Sequence, residues 1–386
     1  MNFELTEEQR LIQDTARRFA AEEIAPTLAE EERKHEFRAE RVRKMGSLGF
    51  FSCAVPEALG GSGMGFMESV LMAEQIAKVS ASWRLPFNMQ NLGPALTVAK
   101  FGTEAQKKKY IPGWVAGAQL GFFAMTEPNT GSDVASMRTH ALDRGDHWEV
   151  HGSKMWISQA QVGDAGLLYA YTDREQGNKG ITAFIIEPKK VKGCTARPIE
   201  TKLGLHCAPT GEFVFDAMPV PKENVVGKPG EGFRICMWQL NQTRLGCAAG
   251  ALGVAGGALE LAINYANERR QFGKPIVQHQ MIQAQIADMV VEHQAAQMLV
   301  YRAAWLKDHG KPSQYETSVA KLAASEAAVH AANECMKIFG SYGFSTEYPA
   351  ERFYRDAKSL QIVEGTSNIQ KIIISGMASG ATPNRE

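Results

Sequence analysis

The chain carries no excess of either charge: 42 lysines and arginines balance 42 aspartates and glutamates. That balance argues against a polybasic nucleic-acid face or an acidic tail, and leaves room only for local positive sites. Cysteine is scarce. The six, Cys53, Cys194, Cys207, Cys236, Cys247 and Cys335, form no C-x-x-C pair, so a zinc site is not expected. A disulfide framework is not expected either in a chain this long without a secretory signal, and reduced, mostly buried thiols are. Long hydrophobic runs are missing. The longest uncharged stretch rich in glycine and alanine, between Arg244 and Glu260, has 15 residues, short of the roughly 20 that span a bilayer. Met1 to Leu5 lead straight into a charged amphipathic pattern with no visible signal or transit peptide, so a cytoplasmic protein is expected. G-x-G-x-x-G after a strand is missing, as are G-x-x-x-x-G-K-[ST], H-E-x-x-H and G-x-S-x-G. Any nucleotide cofactor must therefore be held by another architecture.

What remains is a chain of 386 residues with ordinary globular composition, enough for two or three domains at roughly 150 residues each. Its first part is helical. Phe3, Leu5, Leu11, Ile12, Thr15, Phe19 and Ile24 fall at helical spacing, and Pro26 is expected to end that run. Phe37 to Leu48 and Glu68 to Val79 read as two further helices. Thr103, with Gln106 three residues on, caps another that is expected to stop before Pro112. The pattern changes near Phe122. Trp148 to Val150 and Lys154 to Ser158 flank His151-Gly152-Ser153, which reads as a hairpin. Leu167 to Tyr171, Thr182 to Ile186 and Glu212 to Phe215 read as short strands of a small antiparallel domain. Helical spacing returns near Gly232 in three long segments, about 231–269, 277–309 and 315–339, as in an up-down bundle. Gly246, Gly250, Gly253 and Gly257 repeat at helical spacing, a sign of tight helix packing rather than of a membrane role. The expectation is an α+β multidomain chain: a helical domain over 1–120, a β domain over 121–230 and a helical bundle over 231–386.

Two isolated charges carry the chemistry. Val79 to Ala99 spans 21 residues with one charge, Arg84. It is either an exposed arginine on a loop or a guanidinium aimed into a cavity to meet a carboxylate. Ser359 to Gln370 holds only Glu364. That residue either decorates the turn at Gly365 or is a carboxylate in an apolar pocket, where desolvation makes it a competent base. Three further segments are weaker signals. Thr126 to Asp133 is a turn-rich loop with hydroxyls, Trp156-Ile157-Ser158 carries a strand tryptophan, and Glu268 to Lys274 is a basic stretch after a long helix.

These five segments, in this order, resemble the acyl-CoA dehydrogenase family along essentially the whole chain. TEPNTGSD, WIS, ERRQFGKPI and YRDAKSLQIVEGTSNIQ each match a family signature. The resemblance implies a helical domain, a middle β domain and a C-terminal four-helix bundle, assembled as a homotetramer with FAD between domains and across a subunit interface. Matched by motif, Thr126, Ser132, Trp156 and Ser158 look like the residues at the flavin and the substrate mouth. Arg269, Gln271 and Phe272 look like the segment that reaches a neighbouring subunit's FAD, and Gln280 resembles another FAD contact. Thr366 and Asn368 follow the catalytic Glu364 and should touch the same cofactor. Arg244 stands where the family has an arginine near the active site. Lys337 replaces a glutamine common in the family and is expected at the FAD pyrophosphate as a point charge.

The resemblance implies that Glu364 takes the α-proton of an acyl-CoA while the β-hydrogen passes to the flavin, and that electrons go on to an electron-transfer flavoprotein. Backbone and ribityl donors would hold the thioester oxygen as enolate charge develops. Within the family, WRLPFNMQ is similar to the glutaryl-CoA dehydrogenase branch, where an arginine at the position of Arg84 binds the far carboxylate and Asn88 has a serine counterpart. Decarboxylating members of that branch usually carry tyrosine where this chain has Val363 and an acid where it has Ala77. Glutaryl-CoA oxidised to glutaconyl-CoA without decarboxylation is therefore expected, with benzylsuccinyl-CoA or another substituted dicarboxylyl-CoA as the alternative. A flavin oxidase or monooxygenase on the same scaffold, or a silent CoA-binding scaffold, would have no use for Glu364.

Overall fold

The computed structural model describes residues 4–381; Phe3, counted above in the first helix, lies outside them. Helix α1 (Glu7–Phe19) begins at Thr6, whose side chain closes a capping box with Gln9. Pro26 does not end the run. The chain winds through a π turn at Ala20–Ile24, and Pro26 then enters α2 (Ala25–Lys34) in its first turn, where a missing N–H costs nothing. Helices α3 (Ala39–Ser47), α4 (Phe66–Val79), α5 (Ala81–Leu92), α6 (Pro94–Phe101) and α7 (Glu104–Val115) complete the first helical part. The expected stop before Pro112 is also corrected: α7 carries Pro112 inside it and ends a turn later, where few intrahelical bonds remain to be lost.

The middle part is one eight-stranded sheet. Its strands are β1 (Gly121–Ala124), β2 (His140–Asp143), β3 (His147–Ser158), β4 (Ala165–Tyr171), β5 (Ile181–Ile186), β6 (Cys194–Pro198), β7 (Thr210–Pro221) and β8 (Val225–Val226). Pairing is antiparallel except at β1–β4 and β2–β4. The expected hairpin at Gly152 is instead a bulge within the single strand β3, which runs on against β7 with shifted register. A Cβ at Gly152 would come within 2.7 Å of the Thr139 backbone, so the glycine admits a neighbouring chain rather than turning its own.

The last part is built on α8 (Gly232–Glu268), α9 (Gln280–Asp308) and α10 (Gln314–Phe339), with a short hairpin of β9 (Arg270–Gln271) and β10 (Lys274–Pro275) after α8. Helices α11 (Ala350–Leu360) and α12 (Ser367–Ala378) close it. Alone among the described helices, α8 is long and apolar enough to cross a membrane, and most of that stretch is buried inside the protein. Its glycine stripe explains the burial. A Cβ on Gly253 would stand 2.2 Å from the carbonyl of Glu74 on α4. The stripe therefore lets the first helical part lie directly on the bundle, and α5 is brought against α8 beside it.

Candidate active site

Helix α5 starts at Ser80, whose hydroxyl accepts from the Trp83 amide. One turn into it, Arg84 is 1% exposed, so it is not a loop arginine. None of its three guanidinium nitrogens has a hydrogen-bond partner among the described residues. Burying a guanidinium without hydrogen bonds costs several kcal/mol, a cost that an anionic ligand placed there would offset. Its room comes from Gly250 on α8, where a Cβ would stand 2.5 Å from Arg84 Nε. Asn88, one turn on, donates to the Thr243 carbonyl at 3.1 Å. Its own oxygen is buried without a partner, in the space left by Gly246.

Glu364 sits between α11 and α12 in left-handed backbone, φ 58°, followed by Gly365 at φ 90°. Its Oε2 accepts from the Thr243 hydroxyl at 2.8 Å. Its carbonyl accepts from Arg244 Nε at 2.9 Å. Burial pushes the Glu364 carboxyl above the usual carboxylate range, opposed by the Thr243 hydroxyl and then by Arg244, Arg84 and Lys321. Arg84, Asn88, Arg244 and Glu364 are thus gathered around α8 as one group. A carboxylate with a raised pKa beside an orphan guanidinium can take a proton from a bound acid whose far end is anionic.

A second group lines the edge of the sheet. The Thr126 carbonyl accepts from the Met155 amide at 2.8 Å, which ties the Thr126 loop to the end of β3. Trp156, at φ 63°, falls at a register shift of that strand and is 54% exposed. Ser158 is half-buried two residues on, and Ser132 is exposed on the loop after Thr126. Beneath this edge Lys154 and Glu127 form a buried pair at 2.8 Å. Cys236 of α8 links the two groups: its sulfur lies 3.3 Å from Met125 Sδ, and its thiol feels both Lys154 and the Glu364 carboxylate.

The remaining residues lie on the bundle's surface. Arg269, Gln271 and Phe272 occupy the hairpin after α8, where Phe272 is 93% exposed at φ 50°. The Gln271 carbonyl faces His279 Nε2 at 3.2 Å, and Gln280 is exposed in the first turn of α9. Lys337 is exposed on α10 and paired with Glu334 at 2.6 Å. Thr366 caps α12 by accepting from the Ile369 amide at 3.2 Å, with Asn368 exposed beside it. Trp156, Phe272 and Glu364 are three of the seven non-glycine residues with positive φ among the described residues. Backbone strain of this kind clusters at working sites.

Three family models match in order: acyl-CoA dehydrogenase N-terminal domain over 6–118, middle domain over 122–218 and C-terminal domain over 230–378. This chain belongs to the acyl-CoA dehydrogenase family. It is 47% identical to glutaryl-CoA dehydrogenase of Desulfococcus multivorans, covering 97% of each chain. It is 41% identical to the mitochondrial short-chain specific acyl-CoA dehydrogenase of Mus musculus, over 97% of this chain and 90% of that one. A solved glutaryl-CoA dehydrogenase with glutaryl-CoA superposes with a TM-score of 0.97 at 46% identity, covering 100% of this chain and 99% of that one. Acyl-CoA dehydrogenases are FAD-dependent oxidoreductases.

Sequence reasoning did not single out four residues that the structure places beside these candidates: Thr243, Lys321, Glu127 and Lys154. Lys321 is the lone charge of Ser318 to Ser325, the same signal that singled out Arg84. Thr243 gives no signal in sequence.

Proposed function

We propose that this acyl-CoA dehydrogenase oxidises an acyl-CoA whose far end is a carboxylate, and that its substrate is glutaryl-CoA, converted to glutaconyl-CoA without loss of carbon dioxide. The observation that carries this reading is the buried, unpartnered guanidinium of Arg84. A plain alkyl chain would leave that charge unpaired and is penalised, whereas a carboxylate pairs with it. Asn88 supplies a second polar contact beside it, and Arg244 holds the turn that carries the base. Glu364, made basic by burial, removes the proton next to the thioester carbonyl.

The chain fits FAD. Trp156 offers an exposed indole face held in strained backbone, and Thr126, Ser132 and Ser158 offer hydroxyls along the same edge. Thr366 and Asn368 would meet the cofactor beyond Glu364. Arg269, Gln271 and Phe272 would reach the FAD of a neighbouring subunit in a homotetramer, which gives the exposed Phe272 ring a partner, and Gln280 and Lys337 would be further FAD contacts. Bound FAD supplies the acceptor for the β-hydrogen and its electron pair, and an electron-transfer flavoprotein takes the electrons onward.

Two residues support oxidation without decarboxylation. Val363 brings no hydroxyl to the base. Ala77 is fully buried and brings no carboxylate.

The test is a substrate screen of the wild type and Arg84→Ala. Loss of the arginine should cost roughly 2–5 kcal/mol of binding to the carboxylated substrate while sparing a neutral acyl-CoA of similar length. Equal wild-type activity on butyryl-CoA and on every carboxylated thioester overturns the arginine argument. Stoichiometric carbon dioxide from glutaryl-CoA overturns the non-decarboxylating reading. Turnover of benzylsuccinyl-CoA in place of glutaryl-CoA keeps Arg84 and changes the acyl chain.

A further inference from the structure

Lys321 is fully buried on α10, yet no carboxylate among the described residues lies within ion-pair distance of its ammonium. Its hydrogen bond goes to the carbonyl of Gly365, at 2.8 Å. A methionine of similar length would fill the same space without the cost of burying an ammonium. The packing of α10 on α8 therefore does not by itself account for the charge.

The carbonyl it holds belongs to the strained turn. Glu364 and Gly365 are consecutive left-handed residues, and their two carbonyls need donors. The Glu364 carbonyl accepts from Arg244 Nε at 2.9 Å and from Gln370 Nε2 at 3.3 Å. The Gly365 carbonyl accepts from Lys321 at 2.8 Å and from the same Gln370 nitrogen at 2.9 Å. Two cations from two different helices, bridged by one amide from α12, thus grip successive peptide groups. A non-glycine residue at φ 58° is held there only when its surroundings overdetermine it.

We propose that Lys321 is a positioning residue for the catalytic carboxylate: with Arg244 it clamps the Glu364–Gly365 turn and fixes the aim of Glu364. This rests on the reading of Glu364 as the base. The groups facing that carboxylate are Cys236, Thr243, Arg244 and Cys247 on α8, Arg84 on α5 and Lys321 on α10. Glu326, one turn along α10, acts on Lys321 in turn. Three of these groups are cations around one carboxylate, so removing one disfavours its ionised form.

The experiment measures Lys321→Met, Lys321→Arg and Glu364→Gln in the FAD-loaded enzyme, with the flavin band near about 450 nm as the check on cofactor binding. Lys321→Met should reduce kcat about 10- to 100-fold, the scale of a misplaced reacting group, with KM changed less. The acid limb of its rate profile should move to higher pH. Lys321→Arg, which keeps the charge and donors, should recover part of the rate and return the limb. A Lys321→Met enzyme with wild-type kcat and an unmoved acid limb overturns the proposal. If Lys321→Met fails to hold FAD, the arginine variant decides: a limb shifted as far as any neutral replacement would shift it (Lys321→Gln as the reference) counts against the clamp. Glu364→Gln separates the two readings. If it still reduces flavin, the base assignment fails. If it is inactive while Lys321→Met is normal, only the role of Lys321 fails.

Discussion

The hydroxyl of Thr243 donates to Oε2 of Glu364 at 2.8 Å, across 121 residues of chain. The bond favours the ionised carboxylate, whereas burial, the larger effect, opposes it and leaves the pKa raised. Removing the hydroxyl must therefore raise the pKa further. Thr243→Val should shift the acid limb of kcat/KM to higher pH, so that activity is lost earlier as pH falls, while the plateau at high pH changes less. A limb that stays in place or moves down would show that the hydroxyl does not act on the base.

Gly250 gives Arg84 its space. Adding one methyl at Gly250 puts a carbon 2.5 Å from Nε and 2.6 Å from Cδ. The guanidinium can yield only by leaving its place, at an overpacking cost of about 1–3 kcal/mol. Gly250→Ala should keep its flavin spectrum and lose discrimination in favour of carboxylated thioesters. Measuring kcat/KM on glutaryl-CoA and butyryl-CoA side by side checks this; an unchanged ratio would mean the side chain has another way to fit.

The Lys154–Glu127 pair is buried on both sides, with side-chain exposures of 0% and 5%. Burial pulls the Lys154 ammonium down to about 8 against the attraction of Glu127. Lys154→Met leaves a carboxylate buried without its cation, a loss of about 3–5 kcal/mol. Glu127 also accepts from the Arg138 and Thr139 amides, so the loop after Thr126 should loosen with it. Thermal melting should show a lower Tm and easier FAD release. Lys154→Met with Glu127→Gln should recover part of the Tm, and a double variant no better than the single would assign the loss to packing.

Phe272 at 93% exposure is a large apolar ring at a hairpin tip, with Arg269 at the hairpin's base. In the proposed tetramer both reach another subunit's cofactor. Arg269→Ala and Phe272→Ala should each weaken FAD retention and shift the assembly to smaller species, read together by light scattering and flavin absorbance. A monomer with full FAD occupancy contradicts the arrangement.

Much of this enzyme was legible in its sequence because the signals are local. A lone charge in an otherwise uncharged stretch marks Arg84 and Glu364 without knowledge of any neighbour. Helical periodicity marks the bundle, since α8 and α10 must each bury a continuous face. Local signals fail where two structures share them. Gly152 reads as a turn, yet the approach of Thr139 makes it a bulge; Pro26 reads as a stop, yet a π turn carries the helix past it.

The choice between a loop arginine and a buried one, and between a decorative glutamate and a basic one, belonged to tertiary structure. Burial and the lack of a partner are properties of packing, not of neighbouring residues in the chain. Thr243 and Lys321 meet the Glu364–Gly365 turn from 121 and 44 residues away. No spacing rule connects them, because their proximity exists only once α8, α10 and α12 have packed around the same turn.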